Sequence, residues 1–259
     1  MPNVHVVREG AVATLVLDDP ARKNAMSVDL GDALRQRVRE LAGDPTLRAA
    51  VITGAGGAFS AGGDLSMLER LRTSKEDEAR VFMLEFYGRY LSVLDLGVPL
   101  VAAVDGPAIG AGLAVALACH ITIVAEDAKL ALNFASLGLY PGMGSTYFAA
   151  RRMGDQRAAE ILLTGRRFDG REAVRIGAAL EAVPANEVLP RAKALAQTIA
   201  EQGPLATRSL ADALGPDRAA LAAALEREAR EQAKSYVSQD LGEGLRAAAE
   251  RRKPAFVGR

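Results

Sequence analysis

Three short apolar runs constrain the fold more than any other feature of this sequence. Ala49 to Thr53, Pro99 to Val104 and Ile121 to Ala125 are mostly apolar on both alternating faces, and each is too short for a buried helix. Such runs suit strands covered on two sides, as in a parallel sheet with crossover helices. The segments between them supply helices. Ser27 caps one predicted over Val28 to Ala42, where Leu30, Leu34, Val38 and Leu41 recur at helical spacing. A second is predicted over Lys75 to Leu96, with Val81, Leu84, Tyr87, Leu91 and Leu94 on one face, and a third, rich in small residues, over Ala108 to Ala118.

At the N-terminus, Val4–Val7 and Ala11–Leu17 flank Glu9-Gly10 and read as a hairpin. Lys129 to Leu132 reads as one more short strand. From about Met143 the pattern predicts helices alone: Asn186–Gln202, Leu205–Leu214, Arg218–Val237 and a last one over Gly244–Arg252. Gly203-Pro204 and Gly215-Pro216 separate them. The expectation is an α/β core over residues 1–200 and a helical region over 201–259 that covers a site, a partner subunit, or both.

Composition narrows the function by exclusion. The 259 residues carry 32 Lys+Arg against 32 Asp+Glu, so the formal charge is zero. Nucleic acid and acidic membrane surfaces both attract a basic excess, which is absent. Cys119 is the single cysteine and sits among Ala116, Leu117 and Ala118, so it reads as a small buried apolar residue. One cysteine with two distant histidines, His5 and His120, makes too poor a ligand set for a metal site, and none is expected. Met1-Pro2-Asn3-Val4 does not resemble a signal peptide, and no apolar run reaches membrane-spanning length. A cytoplasmic protein is the expectation.

Glycine gathers where the apolar runs end. Gly54-Ala55-Gly56-Gly57-Ala58-Phe59-Ser60-Ala61-Gly62-Gly63-Asp64-Leu65 follows the first, and Asp105-Gly106-Pro107-Ala108-Ile109-Gly110-Ala111-Gly112 follows the second. The second segment opens a helix, whose first N–H groups have no partner within the helix. Either segment alone also reads as a tight turn that lets a helix pack closely on a strand. Neither matches a P-loop or a dinucleotide fingerprint.

Taken together and in order, these segments resemble the enoyl-CoA hydratase/isomerase (crotonase) superfamily. The matching stretches are Ala21-Arg22-Lys23-Asn24-Ala25-Met26, Gly57 to Leu65, Pro99 to Gly106, Gly110 to Ala114, Leu137 to Gly144 and Arg252 to Phe256. The resemblance runs from about residue 5 to the C-terminus. It implies a crotonase-like fold of repeated ββα units with a helical C-terminal part, assembled as a homotrimer or homohexamer. It also implies an acyl-CoA thioester as substrate, so that coenzyme A arrives with the substrate and no cofactor is tightly held. The oxyanion-hole N–H groups fall on Gly63 and Ala111. Two fixed dipoles there would stabilise a thioester enolate without reorganising, and the second would gain from a helix N-terminus. By the same carry-over, Arg22 and the backbone near Ala25 contact CoA, while Ala61, Asp64 and Leu65 line its adenine and pantetheine path. Lys253 and Phe256 reach a CoA bound by a neighbouring subunit. Without the resemblance, Arg22 reads equally as a solvated surface charge.

The sequence departs from the hydratase pattern at its reactive positions. The two water-activating glutamates of that pattern align with Ala114 and Phe134, and the aspartate used by isomerases and dehalogenases aligns with Gly142. General acid–base groups contribute about 100- to 10,000-fold, so plain hydration should be much weakened. Loss of CO₂ needs only an oxyanion hole and a dry pocket, whereas isomerisation needs a base. Tyr140 resembles a tyrosine of the decarboxylase branch, and otherwise reads as an aromatic packed beside Pro141. Asn133 and Tyr147 are candidates to hydrogen-bond a substrate. Glu85 is a possible base but reads better as a solvated or ion-paired residue, His120 reads as structural, and Asp64 as a brace for its loop. A non-catalytic acyl-CoA-binding homologue remains an alternative.

Overall fold

The computed structural model describes residues 2–259. Strand β1 (Asn3–Glu9) pairs antiparallel with β2 (Val12–Asp18), as the hairpin pattern predicts. Helix α1 (Val28–Leu41) follows, with the Ser27 hydroxyl accepting the Leu30 N–H at its start. Strand β3 (Ala49–Gly54) is buried along its whole length. The glycine-rich loop then leads into α2 (Leu65–Leu71) and α3 (Glu76–Leu91). Next come β4 (Leu100–Val104), β5 (Ala108–Ile109), α4 (Ala111–Ala118), β6 (Ile121–Ala125) and β7 (Leu130–Ala131).

The second half is α5 (Ser145–Thr164, kinked at Gly154), β8 (Arg167–Phe168), α6 (Gly170–Arg175), β9 (Glu181–Val183) and α7 (Ala185–Ala200). It ends with α8 (Pro204–Leu214), α9 (Arg218–Tyr236) and α10 (Gln239–Ala249). The main sheet has the order β1-β2-β3-β4-β6-β9, parallel from β2 onward. A second, three-stranded sheet has the order β5-β7-β8. The mixed α/β architecture is that of the expected fold class, with apolar runs as the buried central strands. Among the described residues, no helix is long and apolar enough to cross a membrane.

Several local expectations are corrected. The region after Met143 is not helical throughout, because β8 and β9 join the two sheets; strands of two and three residues are too short to show an alternating pattern. Helix α3 ends at Leu91 in a 3₁₀ turn over Ser92–Leu96, and Val81 is exposed. Its buried residues are Ala79, Met83, Phe86, Tyr87, Arg89, Tyr90 and Leu91, so Tyr87 and Leu91 of the predicted stripe are buried while Val81 is not. Residues 108–109 form a strand, so the helix predicted from Ala108 begins at Ala111.

Candidate active site

The loop over residues 59–65 is held on two sides by main-chain hydrogen bonds. On one side, Ser60 N–H donates to the Pro107 carbonyl and Ile109 N–H to the Ser60 carbonyl, each at 3.0 Å. On the other, Ala61 N–H reaches the Lys23 carbonyl at 2.9 Å and Met26 N–H reaches the Gly62 carbonyl at 2.8 Å. Asp64 N–H completes that side by donating to the Met26 carbonyl at 3.2 Å. The loop is therefore the middle strip of three, and the two glycine segments lie side by side. Glycine is required for this closeness. Gly62 has a φ of +89°, and a Cβ there would lie 2.6 Å from the Ile109 carbonyl oxygen; one at Gly112 would lie 2.7 Å from Ser60 Cβ.

A buried asparagine locks the outer strip. Asn24 is fully buried with φ +53°, and its amide nitrogen donates to the Ala55 carbonyl (2.9 Å) and the Ala58 carbonyl (2.7 Å). Its side-chain oxygen accepts the Asp19 N–H at 2.8 Å. Arg22 forms ion pairs with Asp19 (2.8 Å) and Asp64 (3.0 Å). Asp64 also caps α2 by accepting the Ser66 and Met67 N–H groups. Burial alone would raise its carboxyl, but the Ser66 hydroxyl, those two amides and Arg22 outweigh it and hold Asp64 below the usual carboxylate range.

This arrangement leaves two backbone donors free. Among the described residues, neither Gly63 N–H nor Ala111 N–H has an acceptor within the chain. Both residues line one cavity of about 200 Å³, and Ala111 is the first residue of α4, where the helix dipole adds positive potential. The rest of the wall comes from the two glycine segments, α2, α3, the Asn133–Met143 segment, α9 and Ala248 of α10. Among the described residues, no Asp, Glu, Lys, Arg or His lines this cavity. Its side-chain polar groups are Asn133, Tyr87, Gln232 and Tyr236.

Three of those four form one cluster. The Tyr87 hydroxyl donates to Gln232 Oε1 at 2.7 Å, and the Tyr236 hydroxyl lies 3.2 Å from both that oxygen and Met83 Sδ. Gln232 Nε2 donates to the Tyr140 carbonyl at 2.9 Å. Burial raises both phenols above their ordinary value, so they stay neutral donors at physiological pH. A Cβ at Gly142 would lie 2.6 Å from the Tyr87 hydroxyl and 2.7 Å from Gln232 Nε2. The cluster thus occupies the space that a side chain at residue 142 would need.

A sequence model of the enoyl-CoA hydratase/isomerase family matches residues 7–259. The chain belongs to that family. A Thermus thermophilus protein described as a putative enoyl-CoA hydratase is 36% identical, covering 96% of this chain and 99% of its own. A Bacillus subtilis protein described as a probable enoyl-CoA hydratase is 34% identical, with 95% of each covered. Among solved structures, an enoyl-CoA hydratase from Bacillus halodurans has a TM-score of 0.86 at 26% identity, covering 94% of this chain and 99% of its own. EchA1_1 from Mycobacterium paratuberculosis has a TM-score of 0.85 at 30% identity over the full length of both chains. The architecture is accordingly the crotonase fold.

The two positions that the resemblance aligns with the hydratase glutamates lie differently with respect to this cavity. Phe134 lines the cavity, its ring beside Gly110, where a Cβ would lie 3.6 Å from Cζ. Ala114 lies one turn into α4, fully buried and outside the lining. Of the residues singled out in the sequence, the structure brings Gly63, Ala111, Ala61, Leu65, Asn133 and Phe134 to the cavity, with Arg22, Ala25 and Asp64 in the strips that brace it. It does not bring Tyr140 there. That side chain lines a separate open groove with Lys234 and Asp240, because the Ser235 hydroxyl and Gln232 hold its main chain.

The other candidates also lie elsewhere. The Tyr147 hydroxyl accepts the Asp217 N–H at 2.9 Å, and Glu85 is an exposed partner of Arg89. Burial lowers the His120 pKa, and the ring bridges Leu100 N–H and the Ala211 carbonyl. Cys119 is fully buried, its thiol pushed up to about 12. Lys253 and Phe256 sit on the tail, which returns to α10 through Asp240, the acceptor for Val257 and Gly258 N–H, and does not line this chain's cavity. Sequence reasoning missed Gln232 and Tyr236 altogether and used Tyr87 only as a core position.

Proposed function

We propose that the protein acts on an acyl-CoA thioester and stabilises its enolate between the Gly63 and Ala111 N–H groups, without a carboxylate base. The observation that carries this reading is a cavity with two unpaired backbone donors and no charged side chain in its lining. Donors fixed in a water-poor site stabilise developing negative charge strongly because they need not reorient. A proton-abstracting or water-activating carboxylate is missing from every position where the family pattern supplies one.

Of the enolate-forming reactions, loss of CO₂ from a 2-carboxyacyl-CoA fits best. The electron pair of the breaking C–C bond becomes the enolate, CO₂ leaves, and the α-carbon then takes a proton that comes ultimately from water. An uncharged cavity also favours this direction, since a carboxylate there loses hydration that neutral CO₂ does not need. The test is to offer malonyl-CoA and its 2-alkyl derivatives alongside crotonyl-CoA. The expected result is CO₂ release from at least one of the former, with crotonyl-CoA hydrated at least about 100-fold more slowly. Rapid hydration of crotonyl-CoA with no CO₂ release would overturn the reading.

A further inference from the structure

The Tyr87–Gln232–Tyr236 cluster is more than packing. It joins α3 to α9 across a wall of a cavity whose only other polar side chain, among the described residues, is Asn133, and all three side chains are at least 98% buried. Its hydrogen-bond inventory is incomplete in an informative way. Gln232 Oε1 takes up the Tyr87 hydroxyl and is one of two acceptors within reach of the Tyr236 hydroxyl. Gln232 Nε2 spends one hydrogen on the Tyr140 carbonyl. What remains is one amide hydrogen on Gln232 and an acceptor lone pair on each phenol oxygen. Gly142 supplies no side chain to use them, and a Cβ there would press on both the Tyr87 hydroxyl and Gln232 Nε2.

We infer that this cluster recognises an uncharged hydroxyl group carried by the acyl part of the substrate. A hydroxyl both donates and accepts, so it satisfies a phenol lone pair and the free amide hydrogen together. A carboxylate only accepts and would meet phenol lone pairs with no cation in the lining. An ammonium group would find no carboxylate. The cavity, at about 200 Å³, exceeds the roughly 150 Å³ that holds a benzene in a protein interior. It therefore has room for a short chain or a single ring bearing that hydroxyl.

The inference rests on the acyl-CoA reading, and calorimetric titration separates the two. Two matched pairs serve as probes: 4-hydroxybutanoyl-CoA against butanoyl-CoA, and 4-hydroxyphenylacetyl-CoA against phenylacetyl-CoA. None carries the departing carboxylate, so each reports binding alone. In at least one pair the hydroxylated ester should bind about tenfold tighter to the wild-type protein, the worth of about one good hydrogen bond. That advantage should shrink to within about twofold in Tyr87→Phe and, independently, in Tyr236→Phe, either variant sufficing if the other does not fold. Binding of all four esters without preference, or a preference that survives both variants, overturns the inference and leaves the acyl-CoA reading standing. Failure of all four to bind overturns the acyl-CoA reading, and this inference with it.

Discussion

Asn24 has a left-handed backbone (φ +53°) and a side chain on which three backbone groups depend, the Asp19 N–H and the Ala55 and Ala58 carbonyls. Asparagine tolerates this conformation better than other residues with a Cβ. Asn24→Ala strands those groups in the interior and adds backbone strain, so it should destabilise the fold by about 3 kcal/mol. Urea unfolding measures it, and a change below about 1 kcal/mol would show that the three strips do not depend on this residue. The sequence makes Asn24 visible only as part of a family-like stretch. Its role as a brace is invisible there, since its acceptors lie more than thirty positions away. Gly142 shows the converse. The glycine itself is plain in the sequence, but the tyrosine–glutamine cluster that fills the space of a side chain there needs the fold.

Helices α5 and α9 meet at a capping contact that no local signal announces. Glu228 of α9 is fully buried and accepts from Gly144 N–H (2.7 Å), Thr146 N–H (2.8 Å) and the Thr146 hydroxyl (2.6 Å), satisfying the start of α5. Burial is the largest influence on this carboxyl and raises it from 4.5 to about 7, against the pull of those donors. The folded state therefore holds a proton more tightly than the unfolded chain. Its contribution is fully present below about pH 4.5 and declines as pH rises toward 7, by an amount on the order of 3 kcal/mol. In urea unfolding at pH 5 and pH 8, Glu228→Gln should lose that part of the slope. An identical slope in the variant would contradict the assignment. The same distinction explains what could be read of the elements. The long helices and buried strands carry strong periodic or apolar patterns, whereas α2 is seven residues long and its start is marked mainly by Asp64 as cap. The face of α3 is legible only in part: Tyr87 and Leu91 are buried as predicted, but Val81 and Met83 are both apolar, and the fold exposes the first and buries the second.

At the scale of the molecule, the sheet sets two glycine segments side by side, and helix α9 closes the space in front of them with Gln232 and Tyr236. The first of these facts was legible, because each glycine segment follows a buried strand and the family resemblance fixes their order. The second was not, since Tyr87 and Gln232 are 145 positions apart and each reads as an ordinary helical residue. The two facts together are what the proposed chemistry, with its dependence on backbone donors, rests on. Ala111→Pro tests this most directly. Proline is well accommodated at a first helical position, and the preceding Gly110 (φ 54°, ψ −119°) is outside the α region that proline disfavours. The variant removes one N–H and no side-chain function. With the turned-over acyl-CoA as substrate, kcat should fall about 100- to 1,000-fold while CoA affinity and thermal stability stay near wild type. An unchanged kcat in the folded variant would contradict the account.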